Sequence, residues 1–221
     1  MDVAEASVSP VGRSALARLA TILVFPRRTM RAILDSPRDR STILLVVLAI
    51  VSSIVKEIKV GEIQQALEQA PAPFPLIVAG VLIALVLVFL FFFYAFSWIA
   101  LGIGRVLEGT GTARGVRSSV AWGFAPLIWA LVYRIPFAFL RTSPPEGESI
   151  FSPGSFAPDG WLVALVPLIL EFVTFCWYLF VASLTLAEAH GFSGLRGLST
   201  LLLSLASPAV LILAAVLTMV V

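Results

Sequence analysis

Two ionisable residues stand where a sequence should be wholly apolar. Arg134 interrupts "ALVYRIPFAFL" (130–140) and Glu171 interrupts "PLILEFVTF" (167–175). A charge at the centre of a membrane-crossing helix costs roughly 2.5–3.5 kcal/mol on insertion scales, so each must be paired, close to an interface, or used in a polar pathway. Three arrangements fit these residue types. The two are a structural ion pair, Arg134 reaches for the interface while Glu171 stays protonated, or the two line a working site.

Other chemistry is poorly supplied. His190 is the sole histidine and neither a His-Glu-x-x-His nor a Gly-x-Ser-x-Gly sequence occurs, so metalloprotease and nucleophile-elbow chemistry lack their residues. Asp2, Asp35, Asp39 and Asp159 lie outside the apolar runs, which argues against an aspartyl pair within the membrane. Glu188 and His190 have no cysteine or histidine companions, so they suit capping and contact at a helix end better than a metal. The stretch "GIGRVLEGTGTARG" (102–115) lacks dinucleotide-loop spacing and a preceding strand, and reads as a flexible loop. No enzyme activity, cofactor or metal is expected.

The elements that must hold Arg134 and Glu171 are helices in lipid. Hydrophobic residues make up 59 % of the 221 and charged ones 13 %, about half the charge of an ordinary soluble domain at roughly 25 %. A crossing helix needs about 20 apolar residues, and five candidates satisfy this, at 41–60, 74–101, 119–140, 161–187 and 198–221. In the first, Lys56 and Lys59 are expected to extend their ammonium groups outward. Pro126, Pro136 and Pro167, with Pro208, fall within spans and permit kinks. Ala121 and Ala125 offer a small face for close helix approach. Cys176 lies in an apolar run and implies no disulfide.

Loop charge sets orientation, because Lys and Arg concentrate on the cytoplasmic side. Arg13, Arg18, Arg27, Arg28, Arg31, Arg38 and Arg40 precede the first span, Arg105, Arg114 and Arg117 follow the second, and Arg196 follows the fourth. The remaining loops hold Lys56, Lys59 and Arg141, so eleven against three predicts N-terminus in and C-terminus out. The segment 141–160, with four prolines and three glycines, should be irregular and non-cytoplasmic. Net charge of +2 offers nothing for nucleic acid.

Residues 1–40 then form a cytoplasmic arm ahead of a transmembrane domain at 41–221. Its pattern predicts two short amphipathic helices meeting at Pro26: Leu16, Leu19 and Leu23 share one face opposite Arg18, and Met30, Ile33 and Leu34 another opposite Arg28 and Arg31. Arg18, Arg27, Arg28 and Arg31 are candidates to face anionic lipid or a partner. Packing on the cytoplasmic ends of the bundle is the alternative.

The segments "FPRRTMRAILDSP" (25–37), "SSVAWGFAPLIWAL" (118–131) and "LTLAEAHGFSGLRGLS" (184–199), in this order across five spans, resemble the Yip family. These are five-pass membrane proteins whose eukaryotic members interact with Rab-type GTPases. The long cytosolic region and acidic aromatic motif of those members are missing, so the resemblance implies a fold without Rab binding and suggests a bacterial or archaeal relative in a cytoplasmic membrane. The leading expectation is an all-α, non-enzymatic membrane protein that organises membrane or partner proteins, with anionic lipid at its cytoplasmic face and self-association compatible with its surface. The alternative is a small transporter, channel or lipid scramblase using Arg134 and Glu171.

Overall fold

A computed structural model describes residues 14–36, 41–57, 73–140 and 160–220. Among the described residues all regular structure is helical: α1 (Ala15–Val24), α2 (Pro26–Leu34), α3 (Ser41–Glu57), α4 (Phe74–Val106), α5 (Ala113–Gly123), α6 (Ala125–Trp129), α7 (Leu131–Leu140), α8 (Gly160–His190) and α9 (Gly194–Val220). Lys59, Arg13, Arg38, Arg40, Arg141 and the loop 141–159 fall outside the described residues.

Helix ends follow local chemistry. Ser14 caps α1 by accepting from the Ala17 N–H at 3.2 Å, and Thr112 caps α5 by accepting from Gly115 at 3.1 Å. Pro26 occupies the first turn of α2, where its missing N–H is harmless. The long helices α4 and α8 end alike. Gly109 N–H reaches the Gly104 carbonyl at 2.8 Å and Glu108 reaches Arg105, while Phe192 reaches Ala187 at 2.7 Å and Gly191 reaches Glu188. Both are Schellman closures, which require a left-handed residue just past the helix. Gly191 (φ 75°) supplies it for α8, whereas Glu108 (φ 68°) must supply it for α4 despite its Cβ.

Two helices, Leu76–Val106 and Leu165–His190, are long and apolar enough to cross a membrane, and α5 to α7 count as a third if one crossing is bent by 42° between Trp129 and Leu131. The expected span at 119–140 is therefore not one continuous helix. Its breaks fall at Phe124, just before Pro126, and at Ala130, while α7 and α8 run through Pro136 and Pro167 without interruption. Helix α4 is exposed over most of its apolar length, including Leu76, Phe91, Phe92 and Trp98, as a lipid-facing helix must be.

Helix α8 is the central post, packed against α2, α5, α6 and α9. Trp122, Ala121, Ala125 and Val181 are fully buried between α5, α6 and α8, so the two alanines lie inside the bundle. The arm joins this core: Ile22, Thr29, Met30 and Ile33 are buried in it. Leu16 departs from its expected face and is 78 % exposed, because the buried stripe of α1 runs through Leu19 and Ile22 instead.

The left-handed conformation costs a residue with a Cβ about 1–2 kcal/mol. Glu108→Gly is therefore expected to raise the melting temperature of the purified protein, and Gly191→Ala to lower it. The Glu108 contact to Arg196, 3.9 Å between exposed groups, is too weak to offset the gain. A lower melting temperature for Glu108→Gly would contradict the capping argument.

Candidate functional site

The bend at Ala130 aims Arg134 into the space between α3 and α8. Arg134 Nε donates to Glu171 Oε1 at 2.8 Å and Nη2 to Oε2 at 2.6 Å, the two-point geometry that a planar guanidinium makes with a carboxylate. Nη1 turns the other way and donates to the Ser52 carbonyl at 3.1 Å and its hydroxyl at 2.9 Å. The Ser52 hydroxyl donates in turn to the Leu127 carbonyl of α6. Lys56 Nζ stands 3.9 Å from Glu171 Oε2, so this lysine, expected to extend outward, also leans over the pair. Tyr133 and Thr174 join their hydroxyls at 3.1 Å across the same α7–α8 seam.

The arginine side chain is 5 % exposed and the glutamate 20 %. Arg134 and Glu171 thus meet directly, with four helices contributing. Arg134 tethers α7 to both α3 and α8, and Ser52 extends the tether to α6. The contribution of Ser52 could not be foreseen, since one serine in an apolar helix says nothing about which carbonyl it meets. A groove of about 510 Å³ opens between α3 and α8 beside the pair, walled by Leu168, Phe172 and Phe175.

The arm and the other end of α8 form a second polar cluster. Arg31 Nε donates to Glu188 Oε1 at 2.7 Å, and that bond pushes the Arg31 guanidinium above its ordinary pKa. Arg27 Nη2 donates to the Phe192 carbonyl at 2.6 Å. Two indoles hold α1: Trp177 Nε1 donates to the Leu23 carbonyl at 3.3 Å and Trp129 Nε1 to the Leu19 carbonyl at 3.2 Å. Leu23 is in the last turn of α1, whose carbonyls have no intrahelical donor, so the Trp177 bond caps it. Of the four arm arginines, Arg27 and Arg31 are committed to α8 and its C-terminal turn, Arg18 is half-buried, and Arg28 is exposed.

His190 is 1 % exposed, and among the described residues neither ring nitrogen makes a well-formed hydrogen bond. Phe192 stacks on it with ring centroids 5.2 Å apart. The glycine-rich segment after α4 wraps around the imidazole, and Thr110 N–H donates to the His190 carbonyl at 3.1 Å. A Cβ at Gly104 would sit 2.1 Å from His190 Cε1, and one at Gly111 would sit 2.6 Å from Nδ1. These glycines therefore make room for a ring, and the segment expected to be a flexible loop is a fitted cradle. Glycines at 104, 109 and 111 were visible in the sequence, but their common target was not. Among the described residues no three His, Cys, Asp or Glu side chains gather as a metal site.

Long apolar helices, lipid-exposed aromatic surface and internally paired charges define an integral membrane protein. The Yip1 domain matches residues 20–218, nearly the whole chain, and the chain belongs to this family of non-enzymatic membrane proteins. No curated protein and no solved structure matches it.

Removing one member of a buried ion pair strands the other, at a cost of about 3–5 kcal/mol. Arg134→Leu and Glu171→Leu are each expected to lower the melting temperature more than the double variant does; equal or additive losses would show that the pair contributes little. At the second cluster, Gly104→Ala should destabilise by about 1–3 kcal/mol through overpacking. Adding His190→Ala should then cost less than the sum of the single changes, because the clash has been removed.

Proposed function

We propose that this chain is a non-enzymatic membrane protein of Yip type that organises lipid and partner proteins at the cytoplasmic face of a bacterial or archaeal membrane. The transmembrane helices act as its anchor. On this reading α3 and α9 complete five crossings with α4, the bent α5 to α7 unit and α8, the N-terminus is inside and the C-terminus outside. The charge bias of eleven against three supports that orientation.

One observation carries the reading. Arg134 and Glu171 inside the bundle are turned on one another, while Arg28, Arg105 and Arg114 are exposed at the end where α2, the last turn of α4 and the first turn of α5 come together. Because α2 is fastened to α8 by Arg27 and Arg31, Arg28 is carried on a fixed platform. Basic residues held near an anionic membrane surface contribute about 1 kcal/mol each to attraction. A small transporter or scramblase remains a second reading because the groove between α3 and α8 reaches Arg134 and Glu171.

Vesicles reconstituted with folded protein are expected to show no proton leak, ion leak or fluorescent-lipid translocation above protein-free controls. Photo-crosslinkers at positions 28 and 114 are expected to capture anionic lipid and a reproducible set of membrane proteins in cells. That capture should be lost when Arg28, Arg105 and Arg114 are changed to glutamate. Flux that disappears in a folded Arg134→Lys variant would replace the organiser with the transporter.

A further inference from the structure

A second cavity, of about 250 Å³, adjoins the charged groove and shares Ser53 and Leu127 with it. Its walls come from six helices: Ala49 and Ser53 of α3, Phe89, Phe92 and Phe93 of α4, Val120 of α5, Leu127 of α6, Tyr178 of α8 and Leu205 of α9. Nearly all the surface is apolar, and a dry apolar cavity holds hydrocarbon rather than water. At roughly 30 Å³ for each methylene, about the share a water molecule takes, the space has room for about eight carbons. Phe89 and Phe92 are exposed at its edge on the lipid-facing helix α4, so it opens towards hydrocarbon.

A cation marks one end. Arg117 lies one helical turn before Val120 on α5, and therefore on the same face as this wall residue. Its guanidinium carbon is 5.7 Å from the Tyr94 ring centroid, and Tyr94 meets the wall residue Phe93 edge-on at 5.3 Å. Ser97, whose hydroxyl donates to the Phe93 carbonyl at 2.8 Å, shares a small depression with Arg117. One helical turn beyond the wall residues Phe93 and Val120, the α4–α5 seam thus presents Ser97 and Arg117, a positive charge beside the apolar cavity. That sequence of environments matches a phospholipid, with hydrocarbon below and phosphate above.

We propose that this cavity is a binding site for one acyl chain of an anionic membrane phospholipid, with Arg117 holding its phosphate. The occupant comes from the bilayer because the opening faces lipid, and it keeps its headgroup because the basic residue stands at the cytoplasmic end of the slot. A bound chain would fill the gap between α3 and α4, so the lipid is part of the packing in this region.

The test uses full-length protein in bilayer nanodiscs containing phosphatidylglycerol that carries a diazirine midway along one acyl chain, with parallel phosphatidylcholine and free fatty acid probes. Crosslinks from phosphatidylglycerol are expected at Phe89, Phe92, Ala49 and Tyr178. Ala49→Leu, which narrows the slot, should lower them about tenfold, as overpacking a filled site does. Arg117→Gln should lower phosphatidylglycerol labelling about fivefold, the weight of one basic residue at a membrane surface, and leave phosphatidylcholine labelling unchanged. Thermal melts verify folding, and Ser53→Phe at the rim provides a second narrowing variant if Ala49→Leu does not fold. Labelling spread over α4 according to exposure and insensitive to either narrowing would overturn the proposal. Equal labelling by free fatty acid would overturn the headgroup assignment, and a dimer in native mass spectrometry that shields the same residues would assign the cavity to a second copy.

Discussion

A bilayer core offers no water to a stray donor or acceptor, and the main polar contacts of this protein answer that constraint. Arg134 uses its guanidinium on both sides, taking the Glu171 carboxylate with one edge and Ser52 with the other. The consequence is geometric as well as energetic. A bidentate pair tolerates little rotation, so α7 is fixed relative to α8, and the bend after Trp129 is held from its far side. Without the bend, a straight α5 to α7 rod would aim position 134 elsewhere.

The opposite end of the bundle solves the same problem with helix termini. Here α4 and α8 close on themselves through Schellman turns, α1 receives its missing donor from Trp177, and the Phe192 carbonyl receives Arg27. His190 is the exception, a buried ring whose nitrogens make no well-formed hydrogen bond among the described residues and which is held by glycines and Phe192. Its packing is steric, and the cradle joins the ends of two long helices that are distant in sequence. The bundle is therefore tied by charge at one end and by charge and shape together at the other, where Arg31 meets Glu188 beside the His190 cradle.

What could be read from the sequence follows from how local each signal is. The all-helical class and the long apolar helices rest on run length, and a pairing of Arg134 with Glu171 was one of three arrangements that their residue types allowed; such arguments need no tertiary information. Pro26 at the start of α2 is also local. The helix break at Ala130 was not legible, since Pro126 and Pro136 bracket it without specifying it. Nor was the partnership of Trp129 and Trp177 with carbonyls of α1, because tryptophans within a span usually suggest an interface or lipid contact. Leu16 illustrates the same limit: a short helix offers several stripes of similar apolarity, and the surface it meets decides which is buried.

The docking of the arm also has a consequence in time. Arg27 and Arg31 leave the ribosome well before their partners Phe192 and Glu188, which lie 165 and 157 positions later. At about 5–20 residues per second, synthesis separates them by on the order of ten seconds. During that interval the apolar faces of α1 and α2 have no post to rest against, since α8 does not yet exist. The arm can dock only after α8 has been made, so its docking reports that α8 has arrived and that the bundle has closed.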